Sequence, residues 1–383
     1  MKILTNIRFL KVAGIAQTLL SFADFIQKDK AAKDIEFIGV NIEDNLKNNG
    51  RTVISKSRKK NLRLISISMP VPNIKKIVET SADIKDVEKT YEPLIKTYLS
   101  IILEEKPDLV LLNGTYYLPW CLYLAAKRAG IKTVIHYHGC LTKETEHFAE
   151  HERTIFHEME KCFFSNDNKY IFPSQMAKDT VANEVFKKEL KYFRILPNPI
   201  PLHFFNTVKK KKRGKRVGSV GRWAYIKNPQ FIEKFALYNA RQQIRNFTIH
   251  IITDIDAIAR LPLRILNAAK VTKPMGNHKL SNFYSKMNLV ICPSHFETYG
   301  NVAQEAVASG TPALISSRMG VAETFRHFGL DRWIVDFSTP ARAAKTMEST
   351  LNETIDSALR AEMRQKMNPQ RIHSLALEYL RCK

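Results

Sequence analysis

The chain has 383 residues, of which 44% are hydrophobic, 10% aromatic and 25% charged. This composition is typical of a globular protein and argues against disorder. A formal net charge of +23 indicates an anionic partner. No apolar run reaches the roughly 18 residues that span a bilayer, and the N-terminal segment lacks a signal peptide's apolar core. We therefore expect a cytoplasmic protein that can also lie at the inner face of the membrane.

The first half of the chain alternates short Ile- and Val-rich runs with helical segments, the pattern of βα units around a parallel sheet. One helix is predicted from Leu94 and must end before Pro107. A second runs from Leu118 and stops at Gly130, as a C-terminal cap would. The predicted strands lie within residues 1–7, 35–42, 62–68, 107–114, 131–139 and 169–174.

The second half repeats this rhythm, and prolines at 197, 199 and 201 place a domain boundary near residue 200. We predict an α/β protein with two doubly wound, Rossmann-like domains that face a central cleft. The domains are residues 1–200 and 201–365, and a helix over 366–383 returns to the first domain. The second set of predicted strands lies within 216–223, 247–254, 268–274, 289–294, 311–317 and 332–337.

Basic residues concentrate in two segments. Arg51–Lys76 holds eight basic residues and no acid, mixed with apolar side chains, which suits an anionic membrane surface or an acidic polymer. Lys209–Arg216 reads KKKKRGKR and is either a solvated loop or an anion contact. Nucleic acid is a minor alternative, because no helix-turn-helix, finger or aromatic RNA-binding pattern accompanies the charge.

The cysteines are five in number, widely spread and without a CxxC pair. We therefore expect buried free thiols, and neither a disulfide framework nor a structural zinc site. The cysteines are Cys121, Cys140, Cys162, Cys292 and Cys382.

Residues 293–316 follow an apolar strand, turn, and become helical near Gly300 or Asn301. The turn carries Glu297 and the helix carries Glu305. A helix N-terminus with open backbone N–H groups favours phosphate. The N–H groups in question belong to Tyr299, Gly300, Asn301 and Val302.

A second motif lies in residues 219–232, where a strand ends at Gly221 and Arg222 and is followed five positions later by Lys227. Two cations at a strand end can face a diphosphate. They would stabilise the negative charge that grows on a leaving diphosphate, without a metal.

The two glutamates in PSxxExxGxxxxEAxAxGxP, with the G-R-x-x-x-x-K arrangement, resemble the pattern of the retaining glycosyltransferase family 4, whose fold is GT-B. The resemblance is close over about 216–336 and is otherwise limited to strand rhythm and the region of His138. It implies transfer of a hexose-type sugar from a UDP- or GDP-sugar to a hydroxyl group. The acceptor is a glycan, a lipid-linked glycan or an anionic cell-envelope polymer, and no metal or other cofactor is expected.

The same resemblance assigns roles to residues. Arg222 and Lys227 face the diphosphate, Glu297 orients the sugar and Glu305 binds the ribose. The family is usually described by front-face attack, in which the leaving phosphate takes the acceptor proton, so no side chain is named as the base.

The N-terminal half offers fewer matches. The family has a histidine near the reacting sugar, and VIHYHG supplies His136 and His138 on one face of a strand. We favour His138 because it is nearer the strand end; a core or loop histidine is the alternative. Related enzymes carry a glycine-rich turn after the first strand, where this chain has only Gly14.

Three alternatives remain open from the sequence. Asp254 and Asp256 form a DxD pattern that binds a metal in the other large glycosyltransferase fold, although Asp at a strand end also initiates helices. A GT-B-like epimerase or phosphorylase would share the fold. A non-catalytic basic protein could use it as a scaffold for an anionic partner.

Overall fold

The computed structural model describes residues 1–7, 14–44, 52–59, 62–207, 214–241 and 247–382. The chain divides into two compact units: Met1–Leu196 together with the segment from His373 onward, and Pro197–Ile372. Within these described ranges no helix is both long and apolar enough to cross a membrane.

The first unit contains a sheet in the order β3-β4-β2-β1-β5-β6-β7-β8. Its strand pairs are parallel except for β3 and β4, which are antiparallel. The six predicted strands are present, whereas β3 and β8 were not predicted. The strands are β1 Lys2–Ile7, β2 Glu36–Asp44, β3 Val53–Lys59, β4 Leu62–Met69, β5 Leu109–Asn113, β6 Thr133–His136, β7 Lys169–Phe172 and β8 Phe193–Ile195.

The helices of the first unit follow the predicted pattern, with one longer than expected. The helix predicted from Leu94 begins at Ile84, where the Asp83 side chain accepts two backbone N–H groups, and it contains Pro93. Gly130 has φ +68° just past the end of the next helix, as a C-terminal cap requires. The helices are α1 Gly14–Lys28, α2 Ile74–Thr80, α3 Ile84–Glu105, α4 Tyr117–Arg128, α5 Leu141–Glu144, α6 Glu150–Lys161 and α7 Gln175–Thr180.

The second unit contains a parallel sheet in the order β11-β10-β9-β12-β13. Its strands are β9 Arg216–Val220, β10 Thr248–Ile252, β11 Lys270–Thr272, β12 Leu289–Cys292 and β13 Ala313–Ile315. Its helices are α8 Leu202–Phe205, α9 Pro229–Arg241, α10 Ile255–Ile258, α11 Leu263–Ala268, α12 Asn277–Lys286, α13 Asn301–Ala308, α14 Val321–His327, α15 Pro340–Thr350 and α16 Ser357–Lys366.

The strand predicted over 332–337 is wrong. Asp331–Trp333 form a 3-10 turn, and only Ile334 pairs, as an isolated bridge to Ile315. The reason lies in Trp333, whose indole N–H donates to Glu353 at 3.0 Å and whose ring is buried. Holding the indole there favours the turn over a continuous strand.

The last helix, α17 (Pro369–Arg381), joins the first unit from His373 onward, as the predicted return of the C-terminal helix requires. The His373 Nε2 atom lies 2.9 Å from the Ser21 hydroxyl on α1. Leu377 and Leu380 are 2% and 6% exposed in the same apolar core. This core therefore combines residues from both ends of the chain.

The basic segments lie only partly within the described residues. Residues 209–213 of the lysine run, and Arg51 and Lys60 of the first segment, fall outside them. Lys56 pairs with Glu104 and Glu105, and Arg63 donates two hydrogen bonds to Glu105 at 2.6 and 2.7 Å. Part of the predicted positive surface is therefore neutralised within the unit.

All five cysteines are free thiols. Cys121, Cys140 and Cys292 are buried as expected, whereas Cys162 is partly exposed and Cys382 is exposed. The expectation of buried thiols is thus wrong for the last two.

Candidate functional site

The loop after β9 carries the two predicted cations. The N–H of Gly221 donates to the Ile252 carbonyl at 3.0 Å, which ties the loop to β10. A 3-10 turn over Tyr225–Lys227 then brings Lys227 back over the loop. The Lys227 side chain packs over Gly221, because a Cβ added to Gly221 would lie 3.8 Å from the Lys227 Cγ atom. The loop and the turn therefore hold Lys227 at the carboxyl end of the sheet.

Asn228 fixes the end of this turn. It adopts the left-handed conformation with φ 54°, which asparagine tolerates better than most residues. Its Nδ2 donates to the Pro293 carbonyl at 3.1 Å, and its Oδ1 accepts the N–H of Phe231 at 3.2 Å. Asn228 thus connects the cation-bearing turn to the segment that follows β12.

Glu297 lies in that segment and pairs with Lys227. The Lys227 Nζ atom is 2.6 Å from Glu297 Oε2, and the Ser294 hydroxyl donates to Oε1 at 2.6 Å. The Glu297 backbone accepts from Gly320 and donates to Arg318. The carboxylate is therefore fixed by the main chain as well as by both of its oxygens.

Helix α13 begins directly after Gly300, at Asn301. Gly300 has φ +123°, and a Cβ there would lie 2.6 Å from the Met319 Cε atom. Helix geometry leaves the N–H groups of Asn301 and Val302 without intrahelical acceptors. The Tyr299 side chain is 2% exposed, so only its backbone, which is the part named in the prediction, is suited to binding a ligand.

Glu305 lies in the second turn of α13. Its carboxylate accepts a hydrogen bond from the Tyr284 hydroxyl at 3.2 Å. Burial raises the pKa of the Glu305 carboxyl to about 8, and this hydrogen bond only partly offsets the rise. The side chain is therefore largely protonated at neutral pH.

A small pocket in the second unit is lined by several of the predicted residues. Arg222, Lys227 and Glu297 all line it. Glu305 is not among the described residues that line it. The other polar or aromatic lining residues include Ser219, Trp223 and Ser294.

Asp254 has a role that the sequence indicated only in part. Its Oδ1 accepts the N–H of Ala257 at 2.9 Å as the N-cap of α10, which confirms the helix-start interpretation. Its Oδ2 accepts the N–H of Trp223 at 2.9 Å, a contact that the sequence did not predict. Asp256 is exposed, and no cluster of three or more metal-binding side chains occurs in the described residues.

In the first unit, His138 follows the end of β6. Its Nε2 lies 2.8 Å from Asn113 Oδ1, and its ring lies 3.9 Å from that of His136, on the same side as alternation predicts. Burial lowers the pKa of the His138 imidazole to about 4, so the ring is neutral at pH 7. The segment between β1 and Gly14 lies outside the described residues, and Gly14 itself begins α1.

Asn113 is held in turn by Asn6. The Asn113 N–H donates to Asn6 Oδ1 at 2.8 Å, and Asn6 Nδ2 donates to the Asn113 carbonyl at 3.1 Å. Sequence analysis missed this pair. The available signal was an asparagine near the end of β1 and another at the end of β5, two neighbouring strands that are otherwise mainly apolar.

Two family models match adjacent parts of the chain. The model described as "Glycosyltransferase Family 4" matches residues 83–204, and the one described as "Glycosyl transferases group 1" matches residues 203–370. Together they include both the His138 region and the pocket. The chain belongs to glycosyltransferase family 4.

Individual relatives match this chain over short segments. D-inositol 3-phosphate glycosyltransferase of Acidothermus cellulolyticus is 35% identical over 101 residues, which are 26% of this chain and 21% of the relative. The enzyme of the same name from Frankia alni is 33% identical over 100 residues, 26% of this chain and 24% of the relative. The matched segments thus span about a quarter or less of each relative.

Solved structures show the fold over the whole chain. Sucrose-phosphate synthase from Thermosynechococcus elongatus superposes with a TM-score of 0.76 at 14% identity, covering 99% of this chain and 98% of the other. A structure described as trehalose-6-phosphate from E. coli bound with UDP-2-fluoro glucose gives a TM-score of 0.71 at 13% identity, covering 100% of both chains. The chain therefore has the two-domain, Rossmann-like GT-B fold.

Proposed function

We propose that this glycosyltransferase transfers a hexose-type sugar from a UDP- or GDP-sugar to a hydroxyl group, with retention of configuration and without a metal. The acceptor is a glycan, a glycolipid or an anionic cell-envelope polymer. The observation that carries the proposal is the convergence of Arg222, Lys227 and Glu297 on one pocket.

The two cations are suited to the leaving diphosphate. Positive groups fixed where negative charge develops stabilise the transition state more than the ground state. Lys227 is paired with Glu297, and an entering diphosphate would compete for its ammonium group. Glu297 would stay in place because Ser294 and its backbone contacts also hold it, leaving an oxygen to accept a sugar hydroxyl.

The start of α13 supports the same assignment. The positive φ of Gly300 allows the helix to begin where its N–H groups have no internal acceptor, and such a terminus favours phosphate oxygens. Glu305 is assigned to the ribose. A largely protonated carboxyl can both donate to and accept from a pair of hydroxyl groups.

The proposed acceptor site depends on His138. Its imidazole is neutral and is held in place by Asn113, and we assign it to a ligand hydroxyl on this basis. The leaving diphosphate, rather than a side chain, would take the acceptor proton. Because the curated relatives are named for D-inositol 3-phosphate, a phosphorylated polyol belongs among the acceptors to be tested.

The test is turnover with a panel of UDP- and GDP-sugars, measured as hydrolysis and as transfer, with and without EDTA. We expect Lys227→Ala and Glu297→Ala each to lower kcat/KM by about 100-fold or more. Lys234→Ala, an exposed lysine on α9, is the matched control and should behave as the wild type.

Two results would contradict the proposal. Equal turnover in the wild type, Lys227→Ala and Glu297→Ala would exclude this site. A product whose anomeric configuration is inverted relative to the donor, as seen by NMR, would exclude retention.

A further inference from the structure

Asp254 connects two segments that border the pocket. It lies two residues after the end of β10, and its Oδ2 accepts a hydrogen bond from the Trp223 N–H in the loop after β9. Trp223 and Arg222 both line the pocket. The carboxylate does not itself line the pocket among the described residues, so its influence on a ligand passes through the loop.

We infer that Asp254 is a positioning residue that sets the geometry of Arg222 by holding the Trp223 backbone. The inference rests on the proposed function, in which Arg222 binds the donor diphosphate. It gives the DxD aspartate a role in donor binding that needs no metal.

The physical basis is the planarity of the peptide unit. The Trp223 N–H and the Arg222 carbonyl belong to one rigid peptide plane, so fixing the N–H restricts the ψ angle of Arg222. On the other side, the Gly221 N–H is held by the Ile252 carbonyl at 3.0 Å. The Arg222 backbone is therefore anchored on both sides by the carboxyl end of β10 and the residues just after it.

The strength of the anchor follows from charge. A hydrogen bond from an amide to a carboxylate is stronger than one between neutral groups. Although burial acts to raise the pKa of Asp254, the hydrogen bonds from the Trp223 and Ala257 N–H groups outweigh it, and the carboxyl remains ionised. The loop thus keeps a charge-assisted contact at neutral pH.

A purely structural role for Asp254 is the competing explanation, because the residue also caps α10. Its two oxygens separate the two roles: Oδ1 accepts from Ala257 in the cap, and Oδ2 accepts from Trp223 in the loop. Serine is a good N-cap with one oxygen. Asp254→Ser therefore keeps the cap and removes the loop contact, whereas Asp254→Ala removes both.

Asp356 supplies a matched control in the same unit. It is the N-cap of α16, and its side chain accepts from the Ala358 N–H. It does not line the pocket. Asp356→Ser and Asp356→Ala therefore report the effect of altering a cap alone.

The experiment is calorimetric titration of the full chain with UDP and with GDP, in buffer containing EDTA. We expect Asp254→Ser and Asp254→Ala to weaken nucleotide binding equally, by about 5- to 20-fold, which is less than the full value of one hydrogen bond to a charged group because the effect passes through the loop. Only Asp254→Ala should also lower the thermal unfolding temperature, by roughly 2–4 °C. Both Asp356 variants should bind as the wild type does.

A double-mutant cycle tests whether Asp254 acts through Arg222. In an Arg222→Ala background, adding Asp254→Ser should change nucleotide affinity by less than about twofold, since the positioned side chain is gone. A loss as large as in the wild-type background would overturn the inference.

Two further results would overturn it without affecting the proposed function. One is wild-type affinity in Asp254→Ser while Arg222→Ala weakens binding. The other is a gain in UDP affinity on adding Mn²⁺ that Asp254→Ser abolishes, which would make Asp254 a metal ligand. If instead Arg222→Ala and Lys227→Ala both bind UDP and GDP normally, the assignment of the diphosphate to these cations fails, and the inference fails with it.

Discussion

Lys227 and Glu297 form an ion pair across the pocket, with the ammonium nitrogen 2.6 Å from a carboxylate oxygen. The side chains are 28% and 16% exposed, so the pair should contribute no more than about 1 kcal/mol to folding. We expect Lys227→Met and Glu297→Gln to change the unfolding temperature by less than about 3 °C, alone or together. Differential scanning calorimetry of both single variants and the double variant measures this. A coupling energy of several kcal/mol would show that the pair is mainly structural.

Gly300→Ala should destabilise the second unit and weaken donor binding. The new Cβ would lie 2.6 Å from Met319 Cε and 3.0 Å from Val321 Cγ1, so the Met319 side chain must move, and an L side chain is strained at φ +123°. We expect a loss of about 2–4 kcal/mol, from strain and overpacking. Gly276→Ala is the control, because nothing lies within 4 Å of its Cβ position and its φ is −66°. Equal unfolding midpoints in urea for the two variants would contradict the prediction.

Glu305→Gln should stabilise the protein at alkaline pH. The folded-state pKa is about 8, above the ordinary value of 4.5, so the wild type loses stability as the pH rises from about 4.5 to 8. Glutamine does not titrate and can still accept from the Tyr284 hydroxyl. The variant should match the wild type near pH 4 and exceed it by several kcal/mol at pH 8.5. Urea unfolding at the two pH values tests this, and a difference that does not vary with pH would refute it.

The basic segment should bind anionic vesicles. Because Lys56 and Arg63 are paired with acids, we expect the lysines on α2, Lys75 and Lys76, to carry more of the effect. Lys75→Glu with Lys76→Glu should weaken co-sedimentation with phosphatidylserine-containing vesicles several-fold, and added salt should do the same to the wild type. Lys85→Glu with Lys89→Glu, on the neighbouring helix, is the control. If the wild type does not sediment with the vesicles at low salt, the predicted membrane binding is wrong.

The pocket could be predicted from sequence because its residues follow strands directly. Parallel strands end at one edge of a sheet, so Arg222 after β9 and Glu297 after β12 meet there once the strands pair. The apolar runs were long enough to identify these strands, and the spacing from Arg222 to Lys227 fitted one short turn. The local sequence pattern was therefore sufficient to predict that Arg222, Lys227 and Glu297 lie close together.

The features that were missed depend on contacts between distant segments. Strand β3 has the sequence VISKSRK and lies at a sheet edge, so it lacks the apolar run that marks an internal strand. The Asn6–Asn113 pair joins residues 107 positions apart. The contact of Asp254 with Trp223 depends on the register of β9 and β10, which a single sequence does not specify. The periodicity of hydrophobic residues locates helices and strands but does not show which distant segments they contact.

The return of α17 has a consequence for biosynthesis. Leu377 and Leu380 fill part of the core that β1 and α1 begin, and they are synthesised after the whole of the second unit, Pro197–Ile372. The apolar side of α1 therefore stays incompletely covered while the second unit is translated. The nascent chain should bind holding chaperones during that interval, and the core of the first unit should close only after α17 has emerged from the ribosome.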